Sequence, residues 1–264
     1  NKRFLTTSFK TMRIHLWETE TGKKKLTFSH PREVVEAAIS PDGTRVISAG
    51  YDDVRMWDAT TGQEIMHGDT QSAYAVAYSH RGKFAASGGV DQTVYLWDGT
   101  TGTAVRRFPG HTGQIYSLAF SDDDRTLLAG TNDGKLFMWD VATGKQLQIY
   151  TTGPGATRQP SLIRDILSAV NDGGRRLLWD VRNGHTIFSD ELDLPMVLAA
   201  NGDFFITPDR GLQYLKAMRI DSSAPRALTQ LRDPDLNFSS VAISPLGDTA
   251  VTGSSDGTLR TWQI

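Results

Sequence analysis

Residues 40–62 read SPDGTRVISAGYDDVRMWDATTG, and this stretch decides the fold. It holds two runs of strand-forming residues, 45–48 and 54–57, which are separated by an Asp-rich turn. Ser-Pro-Asp-Gly precedes the first run and Thr-Thr-Gly follows the second. Glycine and aspartate suit tight turns between antiparallel strands, because they tolerate the positive φ angles of such turns. The stretch therefore predicts short antiparallel strands and no helix.

The same pattern recurs along the chain with a nearly constant period. Tryptophan stands at positions 17, 57, 97, 139, 179 and 262, so the successive gaps are 40, 40, 42, 40 and 83 residues. Ile220 fills the position that the last, double gap leaves open, and Asp221 follows it as aspartate follows four of the tryptophans. A fixed period of this length is the signature of a repeat architecture. Four short strands per period predict an all-β fold of seven units.

Composition narrows the possible functions. The 264 residues carry 28 basic and 30 acidic side chains, whereas nucleic-acid binders usually show a basic excess, so we expect no nucleic-acid partner. The absence of cysteine excludes disulfides, thiolate metal sites and cysteine nucleophiles. The longest apolar run covers only residues 73–78, far short of the ~20 residues of a membrane-spanning helix. We therefore expect no membrane contact. We also expect a cytoplasmic location, although the absence of cysteine does not itself indicate a compartment.

The Trp-Asp pairs, the Ser-Pro-Asp-Gly turn and the Gly110-His111 pair, all at one period, resemble the WD40-repeat family of β-propellers. The resemblance covers essentially the whole chain, and the turn sequences are similar to those of bacterial members. It implies a seven-bladed β-propeller of four-stranded antiparallel blades, forming a single domain over residues 1–264.

The first and last units are incomplete. The first begins inside its second strand, and the last ends just after its third. We therefore expect an incomplete junction between the first and last blades. We also expect the chain to be the C-terminal part of a longer protein.

The resemblance also implies a structural network in each blade, in which His, Ser or Thr, Asp and Trp join strands to turns. Buried indole and imidazole groups need hydrogen-bond partners, which gives such a network a physical reason of its own. The members expected from aligning the units are His30, Ser48, Asp52, Trp57, Ser87, Asp91, Trp97, His111, Asp133, Trp139, Asp172, Trp179, Thr252, Asp256 and Trp262.

Three members of this network, His30, Ser48 and Asp52, have the composition of a hydrolase triad. Versions of the set recur beside tryptophan in other units, whereas a catalytic constellation should occur once. We therefore interpret them as structural, and we expect no catalytic residue, no metal site and no cofactor.

The remaining candidate for a functional surface is the narrower, top face of the ring, where the family tends to bind peptide segments. Tyrosines flanked by polar groups suit such a surface, because they give rigid contact area at low entropy cost. We expect a non-catalytic scaffold or sensor module for a protein or peptide, either separate or part of the same longer chain. The partner-binding positions by alignment are Glu33, Tyr51, Tyr74, Val90, Gln114, Tyr116 and Asn132.

Two other hypotheses stay open. An enzyme would use a site in the central channel near the irregular fifth unit, with groups such as Arg158, Arg164 or Asp165, and would need titratable groups converging in a pocket. An intramolecular docking or regulatory domain for an upstream effector would use the degenerate fifth and sixth units. A contiguous apolar patch on those units would favour docking.

Overall fold

The computed structural model describes residues 2–68, 72–190, 197–199, 203–208, 214–220, 226–232, 238–244, 247–254 and 257–264. Its regular elements are all strands. In chain order they are β1 Arg3–Ser8, β2 Arg13–Glu18, β3 Lys24–Ser29, β4 Val34–Ile39, β5 Arg45–Gly50, β6 Val54–Asp58, β7 Glu64–Gly68, β8 Ala73–Tyr78, β9 Phe84–Gly89, β10 Val94–Asp98, β11 Ala104–Phe108, β12 Ile115–Phe120, β13 Thr126–Thr131, β14 Lys135–Asp140, β15 Gln146–Thr151, β16 Thr157–Ile163, β17 Ile166–Asn171, β18 Arg176–Asp180, β19 His185–Asp190, β20 Val197–Leu198, β21 Phe204–Pro208, β22 Tyr214–Arg219, β23 Arg226–Arg232, β24 Phe238–Ile243, β25 Thr249–Ser254 and β26 Leu259–Gln263.

Consecutive strands pair in sequence order into antiparallel meanders. Sheets of four strands are β4–β7, β8–β11, β12–β15, β16–β19 and β20–β23, whereas β1–β3 and β24–β26 have three strands each. The all-β propeller class is confirmed, but the prediction of seven four-stranded blades is wrong. Across the described ranges the twenty-six strands suffice for six such blades and not for seven. Tryptophan spacing overcounts because the residue marks one strand of a unit, whether or not the others are present.

A bulge lies at the tryptophan of the repeat. The pairing of β6 with β7 shifts register between Met56 and Trp57, and the pairing of β10 with β11 shifts between Leu96 and Trp97. The extra residue lies on the strand that follows, Ile65 in β7 and Val105 in β11, and a bulge of this kind increases the local twist of its strand.

The turn after four of the tryptophans is built from Asp and Gly. Gly62 adopts a φ of 79°, and its N–H donates to the carbonyl of Asp58 at 2.9 Å. The Asp58 carboxylate also accepts hydrogen bonds from the backbone N–H groups of Thr60 and Thr61, both at 2.8 Å. The Asp-x-x-Thr-Gly sequence therefore closes its own turn locally.

The chain divides into two compact units, Asn1–Ser161 and Leu162–Ile264. In the first, Trp57 packs with Ile14, Leu16 and Phe28 of the preceding sheet. In the second, Phe205 packs with Ile166 and Leu178. These sheets bury their faces against a neighbour, as repeat units must. The single domain over residues 1–264 stays a prediction. The described residues contain no helix that could cross a membrane.

Candidate partner-binding surface

Four aromatic rings and one guanidinium form a continuous row within the compact unit Asn1–Ser161. We call it the aromatic row, and its members are Phe9, Tyr51, Tyr74, Tyr116 and Arg158. The ring centroids of Phe9 and Tyr51 are 5.7 Å apart, those of Tyr51 and Tyr74 are 5.9 Å apart, and those of Tyr74 and Tyr116 are 5.2 Å apart. The Arg158 Cζ atom lies 4.8 Å from the centroid of the Tyr116 ring. Three of the predicted partner-binding residues therefore contact one another.

The repeat explains why these residues meet. Phe9 and Tyr51 directly follow β1 and β5, whereas Tyr74 and Tyr116 are the second residues of β8 and β12. Equivalent positions of adjacent repeats lie side by side, so each set forms a pair, and the two pairs meet at Tyr51 and Tyr74 in one row. The Tyr51 N–H donates to the Glu33 carbonyl at 3.0 Å, which anchors the loop at that point of the row.

The other predicted partner-binding residues lie at the bases of the flanking loops. The Val90 N–H donates to the Ser72 carbonyl at 3.2 Å, and the Asn132 N–H donates to the Gln114 carbonyl at 3.0 Å. The Gln114 N–H in turn donates to Asn132 Oδ1 at 2.9 Å. Glu33, Val90, Gln114 and Asn132 therefore shape the loops beside the row, and binding by their side chains stays a prediction.

Phe9 was missed as a surface residue because the first unit has a longer turn. Thr6 and its strand partner His15 are nine positions apart in the sequence, whereas Ser48 and its partner Arg55 are seven positions apart. Counting back from the tryptophan therefore aligns Phe9 with the wrong position, whereas strand pairing makes it the equivalent of Tyr51. The signal that would have found it is the aromatic residue directly after the strand.

The network of the second sheet is complete. Trp57 Nε1 donates to Ser48 Oγ at 2.8 Å, His30 Nε2 lies 2.7 Å from the same oxygen, and His30 Nδ1 lies 3.0 Å from Asp52 Oδ1. Burial alone would raise the pKa of Asp52, but the hydrogen bond and charge of His30 lower it below its ordinary value. Ser48 is 0% exposed, so no substrate reaches this triad-like set without unfolding.

The other sheets use different partners for the indole. Trp97 Nε1 donates to Ser87 Oγ at 2.9 Å, and Trp262 Nε1 donates to Thr252 Oγ1 at 2.9 Å. Asp91 accepts hydrogen bonds from the Thr93 N–H and the Tyr95 hydroxyl, so it stabilises its own turn. Trp179 is buried. Asp256 lies outside the described residues, and roles of Asp172 and Trp179 in a network stay predictions.

The fourth sheet has no hydroxyl between its histidine and its tryptophan. Trp139 Nε1 donates directly to His111 Nε2 at 3.1 Å, and His111 Nδ1 lies 3.1 Å from the Gln92 carbonyl oxygen. Burial lowers the pKa of His111 to about 4, against smaller opposing effects of Gln92 and Asp133. A neutral imidazole donates at Nδ1 and accepts at Nε2, which is what both contacts require.

Across the described ranges, one group of His and carboxylate side chains is close enough to hold a metal. Its ligand atoms, from His30, Asp52 and Asp53, lie within 4.8 Å of one another. Both nitrogens of His30 already have partners. The Arg55 guanidinium pairs with Asp52 at 3.3 Å and with Asp53 at 3.1 Å. The cation position beside these carboxylates is therefore filled by the protein's own arginine.

The residues of the enzyme hypothesis have other contacts. Arg158 belongs to the aromatic row. In the compact unit Leu162–Ile264, Arg164 pairs with Asp203 at 3.2 Å, and Asp165 lies 3.8 Å from Arg182. These two pairs are exposed, so they do not form an enclosed pocket of converging groups. The docking hypothesis concerns the fifth and sixth units, of which residues 191–196, 200–202, 209–213 and 221–225 lie outside the described ranges.

Comparison with known proteins gives the same repeats. A sequence model of the WD40 family, described as WD domain, G-beta repeat, matches residues 22–58, 62–98, 102–140 and 228–263, more than half of the chain. Over its whole length the chain is similar to the crystal structure of the computationally designed Ika8 protein. It covers 81% of that chain, with a TM-score of 0.76 and 23% identity, so this likeness concerns the fold alone.

Curated relatives match shorter stretches. The chain is 36% identical over 104 residues to the U3 snoRNP-associated protein-like YAO of Arabidopsis thaliana, which is 31% of this chain and 21% of that protein. It is 29% identical over 117 residues to eukaryotic translation initiation factor 3 subunit I of Scheffersomyces stipitis, which is 37% of this chain and 33% of that one. It is 32% identical over 90 residues to the target of rapamycin complex subunit wat1 of Schizosaccharomyces pombe. The match covers 32% of this chain and 29% of that protein.

The matched region thus spans between a fifth and a third of these three relatives. All three are eukaryotic proteins, and they give no support to the expected likeness to bacterial members. The family assignment depends instead on the repeat matches, which cover more than half of the sequence. The chain belongs to the WD40 family, the WD domain with G-beta repeats.

Proposed function

We propose that this chain is a non-catalytic module that binds a protein or peptide partner on the aromatic row. WD40 homologues are typically protein-interaction scaffolds in complexes. Two of the relatives are named as subunits, one of a translation initiation factor and one of the target of rapamycin complex. The observation that carries the proposal is the unbroken contact from Phe9 to Arg158.

The side chains of the row have the properties of an interaction surface. Phe9 is 50% exposed, and Tyr51, Tyr74 and Tyr116 are half-buried, so part of each ring faces solvent. Each ring is held by its neighbours, which reduces the entropy lost when a partner binds. Tyrosine and arginine are also the residues that most often dominate binding energy at protein interfaces.

The finer parts of the proposal concern the setting of the module. We further propose a cytoplasmic location and a sensor role. The partner is a separate protein or peptide.

The test is capture of binding proteins by the immobilised chain, comparing wild type with Tyr74→Ala. Tyr74 lies at the centre of the row, so its removal separates Tyr51 from Tyr116, and we expect the wild-type partners to be lost. Phe4→Ala is the matched control, because Phe4 is 42% exposed and stacks on Trp17 outside the row. Thermal unfolding of each variant shows that it is folded. Equal capture by wild type and Tyr74→Ala would contradict the proposal, as would an equal loss in Phe4→Ala.

A further inference from the structure

One edge of β1 has backbone groups that no strand pairs. β1 pairs with β2 on one side, and among the described strands it has no neighbour on the other. Hydrogen-bonded pairs alternate along two antiparallel strands. The Thr19 N–H donates to the Lys2 carbonyl at 2.8 Å, so every second residue after Lys2 bonds to β2. The backbone N–H and C=O groups of Arg3, Leu5 and Thr7 therefore point away from β2, and we call these groups the open edge.

The corresponding edge is occupied in sheets of four strands. There β4, β8, β12 and β16 lie beside β5, β9, β13 and β17, the strands that correspond to β1. Arg45 begins β5 as Arg3 begins β1, and the Arg45 carbonyl accepts from the Ser40 N–H, directly after β4, at 2.9 Å. A first strand is thus the partner that this repeat places at such an edge.

The side chains of β1 are exposed where their counterparts are buried. Phe4 is 42% exposed, whereas the second residues of β5, β9 and β13, which are Val46, Ala85 and Leu127, are each 0% exposed. Phe4 stacks on the half-buried ring of Trp17 at a centroid distance of 6.2 Å, so an apolar surface lies beside the open edge. Unpaired backbone groups beside apolar side chains are a template for another strand.

The repeat also specifies a sequence that fits this edge. Four first strands, β4, β8, β12 and β24, end in one pattern, which is an aliphatic residue, alanine, a large apolar or aromatic residue, and serine. We call it the first-strand pattern. It stands at residues 37–40 (AAIS), 76–79 (VAYS), 118–121 (LAFS) and 241–244 (VAIS).

The serine and the alanine of the first-strand pattern have physical roles. Ser40 Oγ accepts from the Arg45 N–H at 2.9 Å, and Ser79 Oγ accepts from the Phe84 N–H at 3.0 Å. The serine therefore joins the end of a first strand to the start of the second. Ala38 packs against the core cluster that its sheet shares with the next one, which favours a small side chain there.

The same register beside β1 satisfies the open edge. The serine then accepts from the Arg3 N–H, the alanine lies opposite Leu5, and the large apolar residue lies opposite Phe4. The start of β1 is already fixed, because Arg3 Nη1 donates to the carbonyl oxygens of Gly43 and Ala59, both at 3.1 Å. A rigid edge loses little entropy when a strand binds to it.

From these observations we infer that the open edge binds an extended segment of a partner protein, which carries the first-strand pattern and adds to the sheet as an antiparallel strand. Within the described ranges the four first strands with this pattern are paired in their own sheets, so none of them is free to supply it. β1 itself reads RFLTTS, so a second copy of β1 does not offer the pattern either. The surface is separate from the row of Tyr51, Tyr74 and Tyr116, and the inference does not depend on the proposed function.

The test titrates the chain with a fluorescent peptide of its own residues 34–43, VVEAAISPDG, and follows anisotropy. The matched probes are a scrambled peptide of the same composition and a peptide with Ala38→Phe. We expect the 34–43 peptide to bind at least about tenfold more tightly than either matched probe. At saturation, hydrogen exchange of the Leu5 and Thr7 amides should slow at least about tenfold. Exchange of Ser29, in the outer strand β3, should not change.

Thr7→Pro removes one N–H of the open edge. Proline is tolerated where the N–H faces away from the sheet, so pairing with β2 should persist. We expect it to weaken the 34–43 peptide about tenfold. Ser29→Pro makes the same change at an exposed position of β3 and should leave binding unchanged. Phe4→Ala keeps the backbone of the edge and should weaken binding only slightly, and Tyr74→Ala should not affect it. Thermal unfolding shows which variants are folded, and the exchange measurement decides the question if Thr7→Pro is not.

Three results would each overturn the inference: equal affinity for the 34–43 and scrambled peptides, protection of amides elsewhere than in β1, or unchanged binding by folded Thr7→Pro. Self-association without peptide, abolished by Thr7→Pro in sedimentation, would also overturn it, because the edge would then belong to a second copy. If Tyr74→Ala abolishes protein capture while no peptide protects β1, the proposed function stands and this inference is wrong. If the 34–43 peptide protects β1 while Tyr74→Ala captures like wild type, this inference stands and the proposed function is wrong.

Discussion

The indole of Trp139 donates its hydrogen bond directly to His111, with Nε1 and Nε2 3.1 Å apart. In the second sheet the hydroxyl of Ser48 lies between the corresponding groups, Trp57 and His30. Strand pairing makes Ala129 the equivalent of Ser48, so the fourth sheet lacks this hydroxyl. The imidazole and indole rings respond by approaching, with centroids 5.3 Å apart in place of 5.8 Å.

Removing the hydroxyl from the second sheet should therefore destabilise it. In Ser48→Ala, Trp57 Nε1 and His30 Nε2 lose their shared partner, and their rings are too far apart to bond without movement. Leaving buried polar groups unpaired costs about 1–3 kcal/mol, so we expect the free energy of unfolding in urea to fall by about 2 kcal/mol. Ser29→Ala, at an exposed position of β3, is the control and should change it little. A Ser48→Ala variant as stable as this control would contradict the prediction.

His111 should make stability depend on pH. Its pKa is about 4 in the folded state against 6.5 for an ordinary histidine, so between these values the unfolded chain binds a proton that the folded chain does not. Stability from this group is therefore complete above about pH 6.5 and is lost as the pH falls toward about 4, by about 3 kcal/mol in total. Urea unfolding at several pH values, with His111→Gln as reference, isolates this contribution. Equal pH dependence of the two proteins would refute it.

Asp124 should hold the turns of two neighbouring sheets together. It adopts a φ of 63°, where the equivalent turns have Gly43 and Gly82, and its carboxylate accepts from the N–H groups of His80 at 2.6 Å and Arg81 at 2.9 Å. In Asp124→Gly the loss of two charge-assisted hydrogen bonds outweighs relief of about 1 kcal/mol of backbone strain. We expect a net loss of about 1–2 kcal/mol in thermal unfolding. Asp122→Asn, at an exposed position, is the control and should leave the stability unchanged. An Asp124→Gly variant more stable than wild type would contradict the prediction, because relief of strain would then outweigh the two hydrogen bonds.

Two glycines separate backbone strain from steric collision. Gly22 and Gly134 both have positive φ, 64° and 78°, but a Cβ on Gly22 would meet nothing within 4 Å, whereas one on Gly134 would collide with the Gly153 carbonyl oxygen. We expect Gly22→Ala to cost about 1 kcal/mol and Gly134→Ala at least about 3 kcal/mol. Urea unfolding measures both. Equal losses would mean that the loop of Gly153 moves aside freely.

Parts of the candidate site follow from the repeat, and parts do not. Tyr51, Tyr74 and Tyr116 were predictable, because aligned positions of adjacent units lie side by side. The longer turn before β2 hid the equivalence of Phe9 and Tyr51, since insertions in turns change the spacing but not the strand pairing. The repeat also places Arg158 beside Tyr116, because it is the second residue of β16, the position that Tyr74 and Tyr116 hold in β8 and β12.

The sequence alone determined the all-β repeat, because strand alternation, turn residues and the Trp-Asp pair are local features that repeat at one period. It also determined which residues of each unit belong together, as in Trp57 and Ser48. Tertiary structure decided which side chains of different sheets touch. Hydrogen-bond pairing at strand edges and packing between sheets join residues that are distant in the chain. No periodic pattern specifies such contacts where one unit departs from the repeat.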